Sequence, residues 1–128
     1  MLRRKIERVL LDWKAKGGNK NCLLIKGARQ VGKTFIVEKF GQENYESYVY
    51  MNFEKTPSLA KIFAGDLDIE TLRKQITLNL PSAKLVEGKT LIFLDEIQSC
   101  PSARTSLKFW AIDGRYDVIA SGSLLGVN

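Results

Sequence analysis

One octapeptide restricts this chain more than any other stretch: Gly27-Ala28-Arg29-Gln30-Val31-Gly32-Lys33-Thr34. It fits G-x-x-x-x-G-K-[ST], a loop whose backbone N–H groups close around phosphate oxygens. Gly27 and Gly32 permit backbone turns that a Cβ would obstruct. A helix opening near Lys33 would aim its positive dipole end at the same anion. The pattern assigns Lys33 to the β- and γ-phosphates as a point charge and the Thr34 hydroxyl to Mg²⁺. The expected nucleotide-contacting set is therefore Gly27, Ala28, Arg29, Gln30, Val31, Gly32, Lys33, Thr34 and Phe35.

Such a loop works only between a buried strand and a helix. The apolar run Asn21–Lys26 supplies the strand, and Thr34–Phe40 continues as a helix with Gly41 as its C-cap. Upstream, Leu2, Ile6, Val9, Leu10 and Trp13 recur at helical spacing, predicting an amphipathic helix over residues 2–16 that Gly17-Gly18-Asn19 ends. Residues 46–53 are aromatic and β-branched enough for a second strand. A breaker at 55–58 leads to a short helix through Ala64. Ile69, Leu72, Ile76 and Leu80 then mark another helix, stopped by Pro81. Thr90–Leu94 is the most apolar run and predicts a central strand buried on both faces. Ser102 is expected to cap a helix carrying Leu107, Phe109, Trp110 and Ile112, and Asp117–Ser121 forms the fourth strand. Strands alternating with helices imply a three-layer α/β domain with a mainly parallel sheet.

The 128 residues suit one domain, and no apolar run approaches the roughly 18 residues of a membrane span. The basic start, Met1-Leu2-Arg3-Arg4-Lys5-Ile6-Glu7-Arg8, is unlike a targeting peptide because Glu7 and Asp12 are acidic, so a cytoplasmic location is expected. The net charge of +6 leaves two readings of this segment, a solvated helix face or contact with DNA. Cys22 and Cys100 lie far apart and histidine is absent, which excludes an ordinary zinc site; both thiols are expected to be reduced and structural, with Cys22 inside the first strand.

A second constellation stands at the end of the third strand, Asp95-Glu96. Two carboxylates at the carboxyl end of a buried strand are costly unless they face a cation or a wet cleft, and that end is where open α/β sheets bind ligands. Neighbouring strand residues face opposite sides. Asp95 is accordingly expected beside Mg²⁺, holding its water ligands, and Glu96 near the γ-phosphate, orienting the attacking water. Ser121, at the end of strand four, has two readings: a hydrogen bond to the γ-phosphate or lytic water, or a small residue in a tight turn.

Taken together, residues 27–34, Leu-Ile-Phe-Leu-Asp-Glu-Ile-Gln at 91–98 and Ser-Gly-Ser-Leu-Leu-Gly at 121–126 resemble the AAA-type ATPases. More narrowly, the chain is similar to a prokaryotic AAA-like family of ATP-binding proteins that carry a C-terminal domain of uncertain function. The resemblance implies Walker A roles for Lys33 and Thr34, Walker B roles for Asp95 and Glu96, and the sensor-1 place for Ser121. It also implies that strand four lies between strands one and three. A fifth strand, an arginine finger and a lid would follow Asn128, so residues 1–128 are expected to be the N-terminal part of an AAA-like ATP-binding domain. Arg104 and Arg115 precede the sensor strand and do not occupy the finger's place. Strand one becomes an open edge, through which homo-oligomers are expected.

The expected function is Mg·ATP binding and hydrolysis, slow in this chain alone and coupled to an unknown partner or C-terminal effector domain. A nucleotide-dependent switch or DNA-associated module is the alternative from a different class. A small-molecule kinase fits less well, because such enzymes need an arginine-bearing lid and lack the Asp-Glu pair.

Overall fold

In the computed structural model, residues 2–26 and 32–122 are described. The elements run α1 (Leu2–Ala15), β1 (Leu23–Lys26), α2 (Lys33–Asn44), β2 (Ser47–Asn52), α3 (Ile69–Asn79), β3 (Thr90–Asp95), α4 (Pro101–Asp113) and β4 (Asp117–Gly122). Short 3₁₀ turns fill Gly18–Lys20, Pro57–Phe63 and Ile97–Ser99. The four strands form one sheet in the order β1-β4-β3-β2, and every pairing is parallel. The fourth strand therefore sits between the first and third, as expected, and β1 is an edge of this sheet.

Strand alternation divides the core into two halves. Leu91 and Phe93 of β3 and Ile119 of β4 face α1 and α2, meeting Leu10, Ile36, Val37 and Phe40. Ile92, Leu94, Val118 and Ala120 face the other way, onto Leu72 and Ile76 of α3, Ala103 and Trp110 of α4, and Ile62 and Phe63 of the intervening turn. All six residues of β3 are buried, which is why its sequence is a continuous apolar run rather than an alternating one. Each fully buried Leu, Ile or Phe of this kind contributes roughly 1.5–3 kcal/mol relative to exposure.

Several local expectations need correction. Gly41 does not end α2; the helix runs on to Asn44, and Tyr45 follows it. Its glycine serves packing instead, because a Cβ there would lie 2.6 Å from Cδ1 of Tyr48 and 3.1 Å from Cδ2 of Leu91. Ser102 is not a cap: Pro101 takes the first helical position, with Cys100 before it. The side-chain cap lies instead at the preceding helix. Asp68 accepts a hydrogen bond from the Thr71 amide at 3.1 Å, at the start of α3. Cys22 lies just ahead of β1, where its thiol donates to the Leu107 carbonyl across the sheet face. Burial pushes that thiol up to about 11. Among the described residues no helix is long and apolar enough to cross a membrane.

Candidate nucleotide site

The alternation that sorts the core also assembles the site. Asp95 follows Leu91 and Phe93 at every second position, so it emerges on the α2 side of the sheet. Ser121 follows Ile119 on the same side of β4. The first turn of α2 starts beneath them, directly after Gly32, whose φ of 93° and ψ of −10° belong to the left-handed region that glycine enters without strain.

These pieces close around one carboxylate. The Thr34 hydroxyl donates to Oδ2 of Asp95 at 3.0 Å, bridging 61 residues of chain. The Ser121 hydroxyl donates to Oδ1 at 2.5 Å, and the Glu96 amide donates to the same oxygen at 3.0 Å. A fourth donor, the Tyr50 phenol, reaches Oδ2 at 2.6 Å. Sequence reasoning did not find Tyr50. The signal was present, because Tyr50 pairs in register with Phe93 and shares its side of the sheet, two residues short of Asp95. An aromatic side chain spans that diagonal. Asn52 fixes the phenol further, donating its Nδ2 to the Tyr50 hydroxyl at 3.1 Å while its Oδ1 accepts from the Glu54 and Lys55 amides. Burial and the neighbouring carboxylate push the Tyr50 phenol up to about 12, so it stays a donor throughout the neutral range.

Asp95 and Ser121 are both buried, at 3% and 0% exposure, and a carboxylate that deep is tolerable only because it is so fully hydrogen-bonded. Glu96 departs from the strand geometry assumed for it. β3 ends at Asp95, and Glu96 adopts a left-handed backbone with φ 53° and ψ 48°, the only positive φ of a non-glycine residue among those described. Its Oε1 accepts from Nε2 of Gln98 at 2.8 Å. A non-glycine residue in this region carries a backbone cost that the surrounding structure has to hold. Lys33 is the first residue of α2 and is buried, whereas Phe35 is 54% exposed, with the Arg3 guanidinium 5.4 Å over its ring. Gly27, Ala28, Arg29, Gln30 and Val31 lie outside the described residues, as does the segment after Gly122. Arg115 is held by Asp113 and Glu70, away from this cluster.

The family model described as an AAA domain matches residues 19–127. The chain belongs to the AAA domain family. This AAA domain matches the structure of C. elegans PCH-2 with a TM-score of 0.61 and 16% identity, over 99% of this chain and 39% of that one. At that identity the likeness is one of fold. No curated protein matches the chain. The AAA domain thus has the three-layer core of a P-loop ATPase-like domain, with its α2 N-terminus and the tip of β3 at the same end of the sheet.

Hard oxygen donors are what Mg²⁺ takes, usually from one or two protein groups with water and phosphate completing the set. The Thr34 hydroxyl and the Asp95 carboxylate are such donors and are within hydrogen-bond distance of one another.

Proposed function

We propose that this AAA domain binds Mg·ATP and hydrolyses it. The observation that carries the reading is the 3.0 Å contact between Thr34 at the head of α2 and Asp95 at the tip of β3. It joins the phosphate-loop pattern to the acidic strand end, although they are remote in sequence. Mg²⁺, if bound there, would supply charge neutralisation for phosphoryl transfer. Thr34 and Asp95 are the groups that would hold it, and Ser121, bonded to Asp95, keeps that carboxylate oriented. Lys33, with Gly27, Ala28, Arg29, Gln30, Val31, Gly32 and Phe35, forms the nucleotide-contacting set. Glu96 accepts the proton side of a water and turns its lone pair toward the phosphorus, with Gln98 fixing the carboxylate.

An arginine finger is worth about 10³–10⁵ in rate for this chemistry. Neither Arg104 nor Arg115 lies in the finger's place by the resemblance, and Arg115 is held by Asp113 and Glu70, so slow turnover by this chain alone is the expectation. Titration calorimetry and a phosphate-release assay test the reading. Lys33→Ala should abolish ATP binding; Glu96→Gln should keep binding and stop hydrolysis. Unchanged turnover in Glu96→Gln would remove Glu96 from its role.

A second reading, a nucleotide-dependent module associated with DNA, draws on the exposed Arg3, Arg4, Lys5 and Arg8 of α1. It predicts DNA retention that falls steeply with salt and is lost when Arg3, Arg4 and Arg8 are neutralised.

A further inference from the structure

An ionised carboxylate offers about four acceptor positions, two on each oxygen. Those of Asp95 are all taken: Oδ1 by the Ser121 hydroxyl and the Glu96 amide, Oδ2 by the Thr34 hydroxyl and the Tyr50 phenol. A cation, or a water bound to one, can engage this carboxylate only if a donor leaves. The four differ in what they can do. The Glu96 amide is fixed by the chain that carries Asp95. Ser121 has no exposed surface, so its hydroxyl has no solvent to turn to. Thr34 needs no displacement, because its hydroxyl can keep donating to Asp95 while its own lone pair faces a cation. Tyr50 is different: it is only partly buried, so its O–H can turn from Asp95 to solvent while its oxygen goes on accepting from Asn52 Nδ2.

We propose that Tyr50 is a displaceable placeholder, a positioning residue whose phenol occupies the acceptor site on Asp95 that cation loading requires. The inference rests on the reading of the site as one for Mg·nucleotide. Its content is a sign. A residue that merely supports Asp95 would weaken loading when removed, whereas a placeholder competes with loading, and its removal strengthens it. The competing bond is a single hydrogen bond whose net worth sets a modest effect. The ring itself is held by stacking on Tyr48 and by contact with Phe93, at centroid separations of 6.4 and 5.4 Å, so it is the hydroxyl that has to move and not the ring's place in the sheet.

The test is titration calorimetry of Mg·ADP, and of ADP in EDTA, into the wild-type chain and Tyr50→Phe. The expected result is a Mg·ADP Kd about three- to tenfold lower in Tyr50→Phe, with the metal-free ADP Kd unchanged. Near-UV difference spectra supply a second readout. Adding Mg²⁺ to the ADP-bound wild type should give a tyrosine signal, and Tyr50→Phe should lack it. An equal or higher Mg·ADP Kd in Tyr50→Phe overturns the placeholder and leaves nucleotide binding standing. Absence of any ADP binding by the wild type overturns both. Should Tyr50→Phe lose its native circular dichroism, the wild-type difference spectrum decides: no tyrosine signal on Mg²⁺ addition refutes the proposal.

Discussion

Tyr48→Phe should make this domain more stable. Tyr48 lies on β2 with its ring against Gly41 and stacked on Tyr50, 17° from parallel. Its phenolic oxygen is buried and has no hydrogen-bond partner among the described residues. Burial raises its pKa above the ordinary phenol value, and the charge of Glu38 adds to this, so the group stays protonated and its donor stays unused. A buried polar group left unsatisfied costs about 1–3 kcal/mol. Phenylalanine keeps the ring contacts and removes that cost. The oxygen-sized gap it leaves takes back a few tenths of a kcal/mol, on the order expected for so small a cavity. The net expectation is a gain of about 1 kcal/mol, equivalent to a rise of roughly 3–5 °C in Tm for a domain of this size. Urea unfolding followed by circular dichroism measures it: the midpoint should rise by about 0.5 M with the slope unchanged. A midpoint that falls at constant slope would refute the reasoning, since it would mean that the hydroxyl is bonded in solution.

Two further outcomes are expected elsewhere in the fold. Gly41→Ala gains about 1 kcal/mol of helix propensity but forces a Cβ to 2.6 Å from the Tyr48 ring, an overpacking cost of about 1–3 kcal/mol, so urea unfolding should show net destabilisation. The Cys22 thiol, raised by burial from 9.0 to about 11, should alkylate with iodoacetamide at pH 8 roughly 10²-fold more slowly than a free thiol. Because the raised value favours the protonated thiol in the folded state, its contribution to stability is complete below pH 9 and declines toward pH 11; an alkaline melting series checks that sign.

The strands and the two ends of the site were legible in the sequence for a shared reason. Period-two alternation, once Leu91 and Phe93 are known to face one helix layer, also assigns Asp95 to that layer, and Ile119 does the same for Ser121. What escaped were features that depend on register between strands. Tyr50 reaches Asp95 because it sits opposite Phe93, and no property of the β2 segment alone discloses its partner. Sequence alone predicts a helix end at Gly41, because glycine commonly terminates helices. Only the approach of β2 shows that the missing side chain is what matters. Strand alternation predicts a pleated position for Glu96, yet the chain turns left-handed there, so its side chain is directed by local backbone conformation rather than by pleat.

The pairing of Leu23 with Ile119 has a consequence for synthesis on the ribosome. Among the described residues β1 pairs with β4 alone, a strand that is synthesised much later. At roughly 5–20 residues per second, the first strand waits on the order of 5–20 s after emerging before its mate is made. Leu23, Leu24 and Ile25 spend that interval without the hydrogen bonds that later hold them. Stalling near residue 119 would therefore leave an intermediate in which the apolar side chains of β1 have no parallel strand to pair with.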